Sequence, residues 1–209
     1  MAISSGRYAA AAVSVLAIGL VATYAITSGG GADQFADCRQ GAVAGGAGAI
    51  GGPFELVDED GRTVTDAEVI TQPSLLYFGY TFCPDVCPLD VARNAEATDA
   101  LEEMGYEVQP VFISIDPKRD TPEVVKEFTE IMHPRMLGLT GSEDQVRAAS
   151  QAYRTYYKAQ DSGDEFYLVD HSTQTYLVLP EHGFVEYFNR DVTPQDMAER
   201  TACFVEAAG

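Results

Sequence analysis

The chain predicts an α/β domain with an N-terminal β-hairpin, preceded by a single transmembrane helix. Three observations carry that expectation. Tyr8 to Ile26 is a run of 19 residues without a formal charge. Beyond residue 70, apolar runs of strand length alternate with helix-cap signals. The dipeptide Asp60-Gly61 lies between two short stretches of extended character. With 209 residues and 46% hydrophobic content, the chain can bury one good core but hardly two.

The first 28 residues stand apart from that core. A bilayer interior of ~30 Å is crossed by about 20 apolar residues in helix, and Tyr8–Ile26 meets that length. It exceeds the apolar stretch of ~7–15 residues found in a cleaved signal, although the small Ser28, Gly29 and Gly30 leave cleavage open. Arg7 and the amino terminus hold the short end in the cytoplasm, with Asp33 and Asp37 on the far side. Residues 1–28 are therefore expected as cytoplasmic end and anchor. Residues 29–52, rich in Gly and Ala without a sustained period, are expected as a flexible tether, and 53–209 as the folded domain. The expected place is an inner membrane, crossed once, with the C-terminal domain in a bacterial periplasm or a mitochondrial intermembrane space.

The elements follow in order. Phe54 to Thr65 reads as a hairpin turning at Asp60-Gly61. Ser74–Tyr80 is a buried strand by length and aromatic content, followed by a helix starting at Pro88 and running to about Glu103, closed by Gly105. Val108–Ile115 is the next strand, completing a right-handed β-α-β unit. Thr121-Pro122 caps a helix to about Met132, and Met136–Thr140 is a short strand. Ser142 and Gln145 form a capping box for a helix to about Tyr153. Strands are expected at Glu165–Val169, Thr175–Leu179 and Phe184–Phe188, the last two joined by a Pro180–Gly183 turn. A final helix runs from Thr193-Pro194 to about Ala207. A β-α-β half followed by an antiparallel β-β-α half is the thioredoxin-like plan, whose chemical corner is the loop before the first long helix.

That corner holds Cys83 and Cys87 in Phe82-Cys83-Pro84-Asp85-Val86-Cys87-Pro88. Two soft thiols at a helix N-terminus, where amide dipoles favour the thiolate, suit a metal or a redox partner. Three intervening residues, one more than redox enzymes of this plan usually carry, fit a bridging metal at least as well as disulfide exchange. A third ligand would decide. Of three histidines, His133 before Pro134 is expected to cap a helix or face solvent, and His182 to sit in an exposed turn. His171, in Val169-Asp170-His171-Ser172, lies between two strands on the half facing the corner. Cys38 and Cys203, at the two ends of an exported domain, read most simply as a structural disulfide, or else as small packing residues.

With 13 basic against 32 acidic residues the net charge is −19, which repels phosphate backbones and argues against a nucleic-acid partner. Acidity of this size serves solubility or steers the chain toward a basic surface, and composition does not choose between them. No general base or oxyanion feature stands beside the thiols, so hydrolytic catalysis has no support.

Three blocks resemble the signatures of the Sco/SenC family: Phe78 to Pro88, Ser114 to Pro122, and Asp170-His171-Ser172 with Tyr176-Leu177 and Gly183-Phe184. Members are membrane-anchored, thioredoxin-like copper proteins that assist assembly of cytochrome c oxidase. The resemblance spans about residues 52–207. It implies one copper per chain, as Cu(I) or Cu(II), held by Cys83, Cys87 and His171. It implies as partners the copper-site subunit of the oxidase and a copper donor or thiol reductant. Two thiolates and an imidazole suit Cu(I), and an added oxygen, with Asp85 a candidate, would accommodate Cu(II); zinc would accept the same donors. Asp116 to Pro122 is similar to a family loop near the site and reads equally well as an Asp-Pro turn and helix cap. Besides a copper chaperone, two alternatives stay open. One is a thiol–disulfide oxidoreductase using Cys83 and Cys87 to keep target cysteines reduced; the other is a copper or redox sensor.

Overall fold

The strands are β1 (Glu55–Asp58), β2 (Thr63–Thr65), β3 (Ser74–Gly79), β4 (Gln109–Ser114), β5 (Leu137–Thr140), β6 (Tyr157–Ala159), β7 (Val169–His171), β8 (Thr175–Leu179) and β9 (Gly183–Phe188). The helices are α1 (Asp66–Val69), α2 (Val86–Glu103), α3 (Pro122–Met132), α4 (Glu143–Ala152) and α5 (Pro194–Ala208). These come from a computed structural model that describes residues 33–39, 47–160 and 166–209. The anchor expected at Tyr8–Ile26 lies outside the described residues, as do residues 29–32 and 40–46 of the expected tether. Among those described, no helix is long and apolar enough to cross a membrane. The chain divides into two units, Met1–Ala36 and Asp37–Gly209; in the first, a turn is closed by Ala36 N–H donating to the Asp33 carbonyl at 2.9 Å.

In the second unit seven strands form one sheet in the order β2-β1-β5-β4-β3-β8-β9. β3, β4 and β5 run parallel, while β1, β8 and β9 are antiparallel to their neighbours. This is the thioredoxin-like arrangement, widened by the hairpin pairing onto β5. β3 is buried at all six positions, as a strand covered on both faces must be, and its sequence SLLYFG is correspondingly continuous in apolar residues. α2 and α5 pack against each other, α3 packs on β5 and α4 on β1. Among the described residues, β6 and β7 pair only with each other, as a separate two-stranded ribbon.

Local signals explain most boundaries. Gly61 adopts φ 77°, and the Asp58 carboxylate accepts the N–H groups of Asp60 at 3.0 Å and Arg62 at 2.8 Å, closing the hairpin. Ser142 and Gln145 exchange bonds as a capping box, with Gln145 N–H reaching Ser142 Oγ at 3.3 Å and Ser142 N–H reaching Gln145 Oε1 at 2.9 Å. Thr121 and Thr193 cap α3 and α5 in front of prolines at the first helical position.

Three expectations need correction. α2 begins at Val86, two residues before Pro88. The first four N–H groups of a helix have no partner inside it, so a proline in the first turn removes nothing. His133 does cap α3 but is buried rather than solvent-facing, its Nε2 lying 3.1 Å from Asp99. The strand expected at Glu165–Val169 lies instead at Val169–His171 because it pairs with β6, which the sequence left as loop; Glu165 itself lies outside the described residues. The single turn α1 was also unforeseen.

Cys38 and Cys203 are joined by a disulfide across 165 positions, with a Cα–Cα distance of 5.7 Å. It ties the chain ahead of β1 to α5. Closing so long a loop removes denatured-state entropy, and loss of such a link costs about 2–5 kcal/mol. Cys203→Ser is therefore expected to lower unfolding stability by that amount, read from urea melts without reductant. An unchanged midpoint would contradict the crosslink.

Candidate metal centre

β3 ends at Gly79, the chain turns through Tyr80-Thr81-Phe82, and α2 starts at Val86. The turn is tight: Cys83 N–H donates to the Tyr80 carbonyl at 3.3 Å. Three intervening residues place the Cys83 sulfur at the mouth of α2, where it accepts the Cys87 N–H at 3.3 Å. Asp85 occupies the capping position, yet its exposed side chain makes no cap bond. Sulfur thus takes the role usually filled by a side-chain oxygen at a helix start.

Cys83 is 7% and Cys87 0% exposed. The room for Cys87 comes from Gly79. A Cβ there would lie 2.7 Å from Tyr77 Cε1 and 3.1 Å from both Cys87 Sγ and Phe112 Cε2. The turn is pinned from the crossover loop by the buried Asp120. Its carboxylate accepts Thr81 N–H at 3.0 Å, Thr81 Oγ1 at 2.6 Å and Ser114 Oγ at 2.6 Å. Burial raises the Asp120 pKa against the opposing pull of those donors.

His171 arrives on the ribbon. Its Nδ1 lies 2.7 Å from the Ser172 carbonyl, which only accepts, so the proton sits on Nδ1. The free lone pair on Nε2 then faces the thiols, 3.3 Å from Cys87 Sγ. Tyr80 and Tyr77 set their ring edges about the imidazole, at centroid distances of 5.8 and 6.3 Å. Burial lowers the His171 pKa, keeping the ring neutral and in its ligating form. The two sulfurs and the imidazole nitrogen all lie within 4.8 Å of one another.

The thiols are unequal. Burial opposes ionisation of Cys83, but donation from the N–H groups of Asp85, Cys87 and Val86 and from the Cys87 thiol outweighs it, and the pKa falls below the ordinary thiol value. Burial pushes Cys87 up, reinforced by the neighbouring Cys83. Below Cys87 the buried Asp90 accepts Tyr77 Oη–H at 3.0 Å and pairs with Arg190 Nε at 3.0 Å. Cys83, Cys87 and His171 were expected from the sequence, as was the nearness of the Asp116–Pro122 loop that carries Asp120; Gly79, Tyr77 and Asp90, which help hold them, were not. Only the apolar run around Gly79 hinted at a close approach. His182 is exposed and His133 is paired with Asp99, both outside the cluster, as is Asp85.

The SCO1/SenC family model matches residues 43–206. The chain belongs to the SCO1/SenC family. Protein SenC of Rhodobacter capsulatus is 52% identical over 199 residues, covering 95% of this chain and 89% of its own length. Arabidopsis thaliana ScoI, in a crystal structure with copper bound, is 39% identical with a TM-score of 0.72, over 76% of this chain and 99% of that one. Bradyrhizobium japonicum ScoI, also with copper bound, is 38% identical with a TM-score of 0.67, over 74% and 98%.

Two outcomes check this geometry. Gly79→Ala forces Tyr77 and Cys87 apart, and overpacking of this kind costs about 1–3 kcal/mol; thermal melts of the reduced protein should show the loss. In the metal-free reduced protein, iodoacetamide should alkylate Cys83 well before Cys87, with a rate that climbs below the pH of an ordinary thiol. Equal rates would contradict the asymmetry.

Proposed function

We propose that the domain holds one copper ion through Cys83, Cys87 and His171 and delivers it to the copper-site subunit of cytochrome c oxidase during assembly. The observation that carries this reading is the convergence of two sulfurs and one oriented imidazole nitrogen within 4.8 Å. Two thiolates with one imidazole make a soft, low-coordinate donor set that favours Cu(I). The copper-bound relatives lend support, as does membership of a family whose resemblance implied this role. Transfer proceeds by ligand exchange, with thiolates of the acceptor replacing one cysteine at a time. Anchorage through Tyr8–Ile26, with residues 29–52 as tether, keeps the domain beside a membrane-bound acceptor, in a periplasm or an intermembrane space. A copper donor or thiol reductant supplies the loaded or reduced state.

One observation favours a second reading. A low-pKa thiol beside a high-pKa one is also the pattern of a thiol–disulfide exchanger. That activity needs Cys83 and Cys87 and has no use for an oriented Nε2 lone pair.

His171→Ala separates the two. Metal analysis of the reduced soluble domain should show about one copper per chain before the change and a second-order drop in affinity, on the order of 100-fold, after it. Oxidase assembly should fail in parallel. Full assembly by a variant that no longer holds copper would leave the exchanger as the function.

A further inference from the structure

The histidine reaches the site on an element that the main sheet does not hold. Among the described residues, β6 and β7 pair as strands only with each other, and a two-stranded ribbon alone is marginal in water. Side-chain contacts must therefore decide where His171 sits. They gather on one guanidinium. The Arg119 Cζ lies 3.7 Å from the ring centroid of Tyr167, two residues before β7, 4.9 Å from that of Phe82 and 5.7 Å from that of Tyr80. Phe82 and Tyr80 belong to the turn that presents Cys83. Arg119 also pairs with the buried Asp116, which accepts Tyr167 Oη–H at 2.6 Å. Tyr80 Oη in turn accepts the Val169 N–H at 3.3 Å.

We infer that Arg119 is a positioning residue for copper binding: it braces the His171 ribbon against the Cys83 turn and so sets the spacing between imidazole and thiols. A planar cation stacks on three rings while donating sideways to a carboxylate, which a lysine ammonium cannot reproduce. The inference rests on the copper site proposed above.

A double-mutant cycle tests it, with cuprous affinity measured by competition against a chromophoric chelator. Arg119→Ala should weaken binding on the order of 10–100-fold, as loss of an outer support commonly does, and Arg119→Lys should restore only part. In a His171→Ala background Arg119→Ala should cost nothing further, since it acts through His171. In the metal-free protein, amide exchange in β6 and β7 should quicken while β3 and β4 stay protected. Should Arg119→Ala not fold, Arg119→Lys and Tyr167→Phe carry the same cycle. Equal loss in both backgrounds, or unchanged exchange in the ribbon, overturns the brace. If His171→Ala alone leaves cuprous affinity intact, the copper site itself is wrong and the inference falls with it.

Discussion

The sulfur of Cys83 accepting the Cys87 N–H is the constraint on which the site depends. A helix N-terminus leaves donors without partners, and here a thiol fills the place of a capping oxygen. That bond links the two cysteines through backbone as well as through any shared ligand. It draws the Cys83 thiol toward ionisation, fixes the turn after β3, and aims the first turn of α2 so that Cys87 falls beneath Gly79. Three residues between the cysteines are what the geometry needs, since the fourth N–H along is the one that Cys83 reaches.

The rest of the centre differs in stiffness. The thiol half is built on β3 and α2, with Asp120 gripping Thr81 from the crossover loop and Asp90 gripping Tyr77 from inside the helix. The imidazole half stands on a ribbon joined to that body by aromatic and polar side-chain contacts. The spacing of the sulfurs is therefore fixed by the sheet and helix, while the position of the nitrogen follows the ribbon.

Much of this was legible from residue types alone. β3 and β4 are continuous apolar runs, and the Thr-Pro and Ser-Gln caps and the Asp-Gly turn each act through a local mechanism that the folded chain reproduces. The start of α2 was misplaced because Pro88 reads as a first helical residue, whereas any position in the first turn tolerates it. β6 was invisible because Tyr-Lys-Ala at a half-exposed edge has no period to detect. The burial of His133 was hidden because Asp99, its partner, is 34 positions away in sequence.

The supports of the site share that last property. Gly79 with Cys87, Thr81 with Asp120 and Tyr167 with Asp116 and Arg119 are pairings between separate elements, and none leaves a local pattern. Local pattern locates the two thiols because paired cysteines at a helix start are rare, and His171 joined them through the family resemblance. Local pattern does not locate what orients them, because common residues such as Asp, Thr and Tyr do that work, and only the fold brings them together. The distinction has a chemical consequence: the donor set suits a soft ion, while the supports decide how firmly each donor is held.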